Sequence, residues 1–248
     1  MTQPTLTPTI TDDNPLTAAT VETVKSYVDS PEWVARMESW GEGYADLTRT
    51  AILKAISQGA GPRAVASKMR QYAENLPGSA AESLTRTLQL TAYRENSLAM
   101  EKINGEFIQY KIRLCALTNT SCLSCIALHG TRLEVGERVD DHYNGMCSEF
   151  YVVPGGGLPE FMQADSTPGN RQFVPFQTGE DWFASLSPER QAQQAAFQNS
   201  PAMLAAFNSG VPLSAFVGEH QDDVFGRMVV QQSLAGAIGE EAAKGFYK

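Results

Sequence analysis

Three of the chain's four cysteines and two of its three histidines fall within one stretch, SCLSCIALHGTRLEVGERVDDHYNGMC, from Ser121 to Cys147. Cys122-x2-Cys125 places two thiols on one tight turn, and His142-x4-Cys147 adds an imidazole and a third thiol. Thiolate sulfur and neutral imidazole nitrogen are the usual donors to tetrahedral zinc, and a Cys3His set fills all four of its positions. With no position left for water, such an ion staples a loop and does not activate a nucleophile.

Other chemistries use the same residue types. A disulfide needs an oxidising compartment, and a redox Cys-x2-Cys heads a helix in a thioredoxin-like βαβ unit, where this sequence suggests a Gly-containing loop instead. Buried thiols with no ligand are the plain alternative. His129, four residues beyond Cys125, is a spare donor able to replace His142, but Gly130-Thr131 behind it suggests a turn, and so a surface or turn histidine. Cys115 reads as a free thiol outside the Cys-x2-Cys, and His220, in GEHQDD, as a solvated histidine. DDHYNGMC shares an Asp-His pair with HNH nucleases, yet no downstream Asn and His follow at suitable spacing. PGGGLP lacks the Lys-Ser/Thr continuation of a phosphate loop.

The elements that must position this stretch can be read from periodicity. Residues 1–16, rich in Thr, Pro and Asp, read as a flexible arm. From residue 17 the pattern is helical, with Ser30 as cap and Pro31 at the first helical position of a segment running to Gly59. Trp33, Met37, Trp40, Tyr44, Leu47 and Ala51 keep helical spacing and form its expected buried stripe. Two further helices follow, the second from Ser79 to Gly105 with Ser79-x2-Glu82 as a capping box. Then EFIQYKIRLCAL alternates: Ile108, Tyr110, Ile112 and Leu114 on one face, Gln109, Lys111 and Arg113 on a wet one, the pattern of a strand. After Cys147, the Gly- and Pro-dense YVVPGGGLPEFMQADSTPGNRQFVPFQTG reads as irregular, and Ser187-Pro188 and Ser200-Pro201 start helices in the remainder.

The expected fold class is therefore mainly α with a small β/zinc-stapled module, an α+β chain with a helical N-terminal part, short strands around a Cys3His loop and a helical C-terminal tail. The corresponding division is an arm at 1–16, a helical domain at 17–104, a β/zinc-binding module at 105–160, and a linker with helical C-terminal region at 161–248.

Composition narrows the function classes. At 42% hydrophobic and 19% charged residues, the 248-residue chain is globular in type, and no run approaches the roughly 18 apolar residues of a membrane helix. The first residues lack the basic start and apolar core of a secretory signal, so reduced thiols are expected. A net charge of −9, from 19 Lys and Arg against 28 Asp and Glu, argues against broad binding along a nucleic-acid backbone. Lys102, Lys111 and Arg113 lie close together, but interspersed Glu101 and Glu106 make this a mixed, solvated surface by pattern.

Several of these motifs together resemble the minor head, or head morphogenesis, proteins of tailed bacteriophages, the Mu F-like family. The residues that carry the resemblance are RTLQLTAYREN at Arg86 to Asn96, CLSCIALHGT at Cys122 to Thr131, and DHYNGMC at Asp141 to Cys147. Helical patterns after the cysteines, in TGEDWFASLSPERQAQQAAF, SGVPLSAFVG and GRMVVQQSL, add to it. The sequence departs from the family at Leu88, where a Glu is usual, at Tyr143, where a Pro is usual, and at Met146, where an Arg is usual. The resemblance implies a virion component and not an enzyme: a protein built into the capsid near the portal vertex, made in the host cytoplasm, acting in head assembly or genome delivery. Its implied partners are the portal protein, a major capsid or scaffolding protein, and packaged double-stranded DNA. The alternatives are an effector enzyme of ADP-ribosyltransferase type, which related phage proteins carry as a fused domain, and a nucleic-acid-binding zinc module.

Overall fold

Ser30 and Pro31 act as their types require. The Ser30 hydroxyl accepts the Trp33 N–H at 3.2 Å, and Pro31, whose missing N–H costs nothing there, opens a helix. In the structure, a computed structural model that describes residues 15–58, 60, 62–72, 78–158, 161–164, 171–197 and 201–247, α1 spans Pro15–Val28 and α2 Pro31–Glu38. The expected arm lies almost wholly outside the described residues.

The single helix expected from Ser30 to Gly59 is two helices, because Gly43 turns the chain at a φ of 77° that few other residues adopt cheaply. The Glu38 carboxylate accepts the N–H groups of Gly43 (2.8 Å) and Ala45 (3.0 Å), and so caps α3, Tyr44–Ser57. The break resets the helical phase. Trp33 and Met37 are fully buried as expected, but in α3 the inward face is Ala45, Thr48, Ala51, Ile52, Ala55 and Ile56, and Leu47 is left 39% exposed. Next come α4, Pro62–Tyr72, and the long α5, Gly78–Asn104.

A three-stranded antiparallel sheet follows in the order β2-β1-β3, with β1 at Tyr110–Leu114, β2 at Arg132–Leu133 and β3 at Ser148–Val152. Between β1 and β2 stands α6, Leu123–Leu128. Ile112 pairs with Arg132 on one side and Phe150 on the other. The segment expected to be irregular contains two paired strands, β4 (Phe161–Ala164) and β5 (Arg171–Val174). Three helices come next: α7 (Gly179–Ser185), α8 (Pro188–Phe197) and α9 (Pro201–Asn208).

The C-terminal part is not helical throughout. β6 (Val217–Asp222) and β7 (Gly226–Gln231) pair as a two-stranded sheet before α10 (Leu234–Ile238) and α11 (Glu240–Lys244). Gly226, at a φ of 75°, provides the left-handed residue at the turn between them. The fold is mainly α with small antiparallel sheets.

The chain forms two compact units, Met1–Ala99 with Asp223–Gly226 and Met100–Asp222 with Arg227–Lys248. The second unit has an apolar core in which Leu123 and Ile126 of α6 meet Trp182, Phe183, Met203, Leu213, Phe216 and Leu234. Its C-terminal helices thus share a core with the helix that carries Cys125.

Candidate metal centre

The Cys-x2-Cys heads α6. Cys122 is the N-cap, with extended backbone (φ −73°, ψ 157°), and its Sγ accepts the Cys125 N–H at 3.3 Å, the role a serine hydroxyl fills elsewhere. A loop after these cysteines was expected; a six-residue helix stands there. It is nonetheless no thioredoxin-like βαβ unit, since the strands on either side of it, β1 and β2, pair antiparallel.

Contacts distant in sequence hold this turn. The Leu123 N–H donates to Gln231 Oε1 at 3.0 Å, and the Gln194 side-chain amide donates to the Ser121 carbonyl. At the other end of α6, Gly179 packs so closely that a Cβ would overlap the Ile126 carbonyl, while its N–H donates to the His129 carbonyl at 3.0 Å.

His142 approaches from the loop before β3. Its Nε2 lies 3.1 Å from both Cys122 Sγ and Cys125 Sγ, and its Nδ1 is 2.7 Å from the Tyr143 carbonyl. A carbonyl can only accept, so Nδ1 carries the proton and directs the other nitrogen at the thiols, the usual arrangement behind a metal-binding histidine. Cys122, Cys125 and His142 form one group of donor atoms within 4.8 Å of one another, and Cys125, Asp141 and Cys147 form a second that shares Cys125. The four residues singled out by spacing are thus divided between two overlapping groups that share Cys125, with Asp141 in the second.

Three residues that pattern placed elsewhere belong here too. Cys115, just past β1, packs into one buried cluster with Cys122, Cys125 and Cys147. His129 does stand in the turn that ends α6, but it is 2% exposed and not a surface residue: its Nδ1 accepts the Cys115 N–H at 2.9 Å and its ring stacks on Phe176 at 5.5 Å. Arg113 is 4% exposed, although alternation put it on the wet face; its guanidinium donates to the Asp140 carbonyl and to Asp141 Oδ1 (3.3 Å). Lys111 is likewise buried, between Glu101 (2.6 Å) and Glu149 (3.0 Å). The Tyr151 hydroxyl reaches both carboxylates, and the Gly136 N–H donates to Glu101 at 2.6 Å. His220 is exposed, as expected.

The electrostatics favour thiolates. Hydrogen bonds from Cys125 hold the Cys115 thiol down to about 3 and the Cys122 thiol down to about 4, while Cys125, surrounded by those sulfurs and Cys147, is pushed up and keeps the shared proton. Burial opposes charge on His142, yet the hydrogen bond and charge of Cys122, with Asp141 behind, raise it to about 9. Burial lowers His129, leaving it neutral. Burial also works against Arg113, but Cys147, Asp141 and Cys125 more than offset this and raise it. Clustered sulfurs beside an imidazole and a guanidinium favour loss of thiol protons, the step that metal binding requires. Soft sulfur donors with an imidazole suit zinc well.

The signals that would have found the missed residues are weak. Arg113 and Lys111 look like any polar residues of an alternating strand, and only the acidic residues at 101, 140, 141 and 149 hint at buried pairing. Comparison with known proteins adds nothing to this geometry: no family model, curated protein or solved structure matches the chain. Among the described residues no helix is long and apolar enough to cross a membrane.

Proposed function

We propose that the cluster binds one structural zinc ion through Cys122, Cys125, His142 and Cys147, and that the chain is a minor head protein of a tailed bacteriophage. The observation that carries the metal reading is His142 Nε2 3.1 Å from the sulfurs of Cys122 and Cys125, with Cys147 joined to them through Cys125. Four protein donors close the coordination sphere, so the ion's part is to hold the loop from His142 to Cys147 against the start of α6, not to activate water. These same residues carry the resemblance to phage head proteins, which supports a role in capsid assembly or genome delivery and no enzymatic one.

On this reading the protein folds in the host cytoplasm, joins the capsid near the portal vertex, and meets the portal protein, neighbouring capsid subunits and packaged DNA through surfaces outside the staple. Metal analysis of the purified protein beside Cys122→Ser and Cys147→Ser tests the staple. The expected result is one zinc per chain in the parent and loss in both variants; a parent without stoichiometric zinc overturns it. Co-expression with the portal protein of the same genome tests the assembly role. Co-purification in heads is expected, and heads that exclude the chain would sink it.

A further inference from the structure

Asp141 stands beside the donor atoms, and its carboxylate groups with Cys125 and Cys147 within 4.8 Å. By chemistry alone it could be a ligand. Its oxygens, however, are already engaged. Oδ1 accepts the His142 N–H at 2.9 Å and the Arg113 guanidinium at 3.3 Å, with the Cys125 thiol at 3.6 Å, and Oδ2 accepts the Cys147 N–H at 3.0 Å. Three donors crowd Oδ1, which has two lone pairs, and Oδ2 is turned to the Cys147 N–H, so both oxygens face loop and β1 donors. The side chain is fully buried, so no water competes for it.

We infer that Asp141 is the positioning residue of the metal centre: one carboxylate gathers the N–H groups of His142 and Cys147 and so fixes the spacing of those two ligands. This rests on the zinc reading above. The loop from 141 to 147 closes around that carboxylate, helped by the Gly145 N–H donating to the His142 carbonyl at 2.9 Å. A Cβ on Gly145 would overlap the Asp141 carboxyl group. Gly145 is not among the residues with positive φ, so the carboxylate, and not the backbone conformation, demands a glycine there. Arg113, which also donates to the Asp140 carbonyl, ties the loop to β1.

The test is cobalt(II) titration of the full chain, followed by absorbance, with zinc affinity measured by chelator competition. Asp141→Asn keeps the shape and one acceptor oxygen but loses the charge. It should bind zinc roughly 10- to 100-fold more weakly, as loss of a partner behind a ligand does, with the cobalt spectrum of the parent. Gly145→Ala should weaken binding similarly in the parent and much less in an Asp141→Ala background, since the carboxyl group it would strike is gone. A cobalt spectrum altered by Asp141→Asn would make Asp141 a ligand and overturn the inference. So would unchanged affinity in both single variants, or full additivity of Gly145→Ala with Asp141→Ala. A parent that takes up neither cobalt nor zinc overturns the metal reading itself, a result distinct from any of these.

Discussion

The buried polar groups of the two units follow different rules. In the first, Arg94 is the one buried charged residue among those described, and the hydroxyls of buried Thr48, Thr85 and Thr87 each donate to a carbonyl four residues earlier in their own helix, Tyr44, Ala81 and Ser83. In the second, the buried groups include Glu101, Lys111, Arg113, His129, Asp140 and Asp141, and each has a partner ten or more residues away: Lys111 with Glu101 and Glu149, Arg113 with Asp140 and Asp141, His129 with Cys115, Asp140 also with Arg227. A helix that satisfies its own polar atoms depends on its neighbours only for apolar packing. A core built from separated charges depends on every member being present.

The largest expected difference between the units comes from metal removal. Structural zinc in small modules contributes about 10 kcal/mol or more at neutral pH, which is comparable to the whole stability of an ordinary domain, roughly 5–15 kcal/mol. A strong chelator should therefore abolish amide-exchange protection in β1, α6 and β3 while leaving α2, α3 and α5 up to residue 99 largely protected. Equal loss in both units would show that the first is not self-sufficient, and no loss in either would remove the staple.

A substitution within the second unit gives the next effect. Lys111→Met leaves Glu101 and Glu149 buried without the ammonium group that lies 2.6 and 3.0 Å from them. Removing one partner of a buried charge set costs about 3–5 kcal/mol. In the first unit, Thr85→Val deletes a hydroxyl whose carbonyl partner lies in its own helix, and about 1 kcal/mol is expected for such a loss. Denaturant unfolding of the two variants measures the contrast directly; similar costs would erase it.

This contrast also explains how far the sequence was readable. The helices of the first unit were legible because caps and apolar spacing are local signals, as Ser30 and Trp33 show. What failed there was one glycine turn at Gly43, which moved the buried face of α3 by a residue. In the second unit the spacing of Cys122, Cys125, His142 and Cys147 was legible, because side chains that meet in one small cluster constrain the lengths of the loops between them. Lys111, Arg113 and His129 were not: burial of a charged or polar side chain depends on which partner the fold brings to it, and Glu149 or Cys115 carries no local mark of that role. The strands β6 and β7 were hidden for a related reason. Val217–Asp222 is polar along most of its length, so it lacks the alternation by which a strand is recognised.

The smallest effect is expected where a charge pair sits on the surface of the first unit. Asp29 accepts from Arg49 and lies 3.0 Å from Lys25. Arg49 first, and Lys25 second, hold its carboxyl down from 3.8 to about 2. A depressed carboxylate stabilises the folded state above its unfolded value, and that stabilisation fades as pH falls from about 4 towards 2. The group is open to water, with about a third of its side chain exposed, so solvent and salt screen the attraction and exposed pairs of this kind contribute little. Asp29→Asn should leave the unfolding midpoint at neutral pH within error of the parent, and any difference at low salt should vanish at high salt. A loss approaching that of Lys111→Met would mean that the helical unit, too, is held by its charges, and the division between the two units would fail at its clearest point.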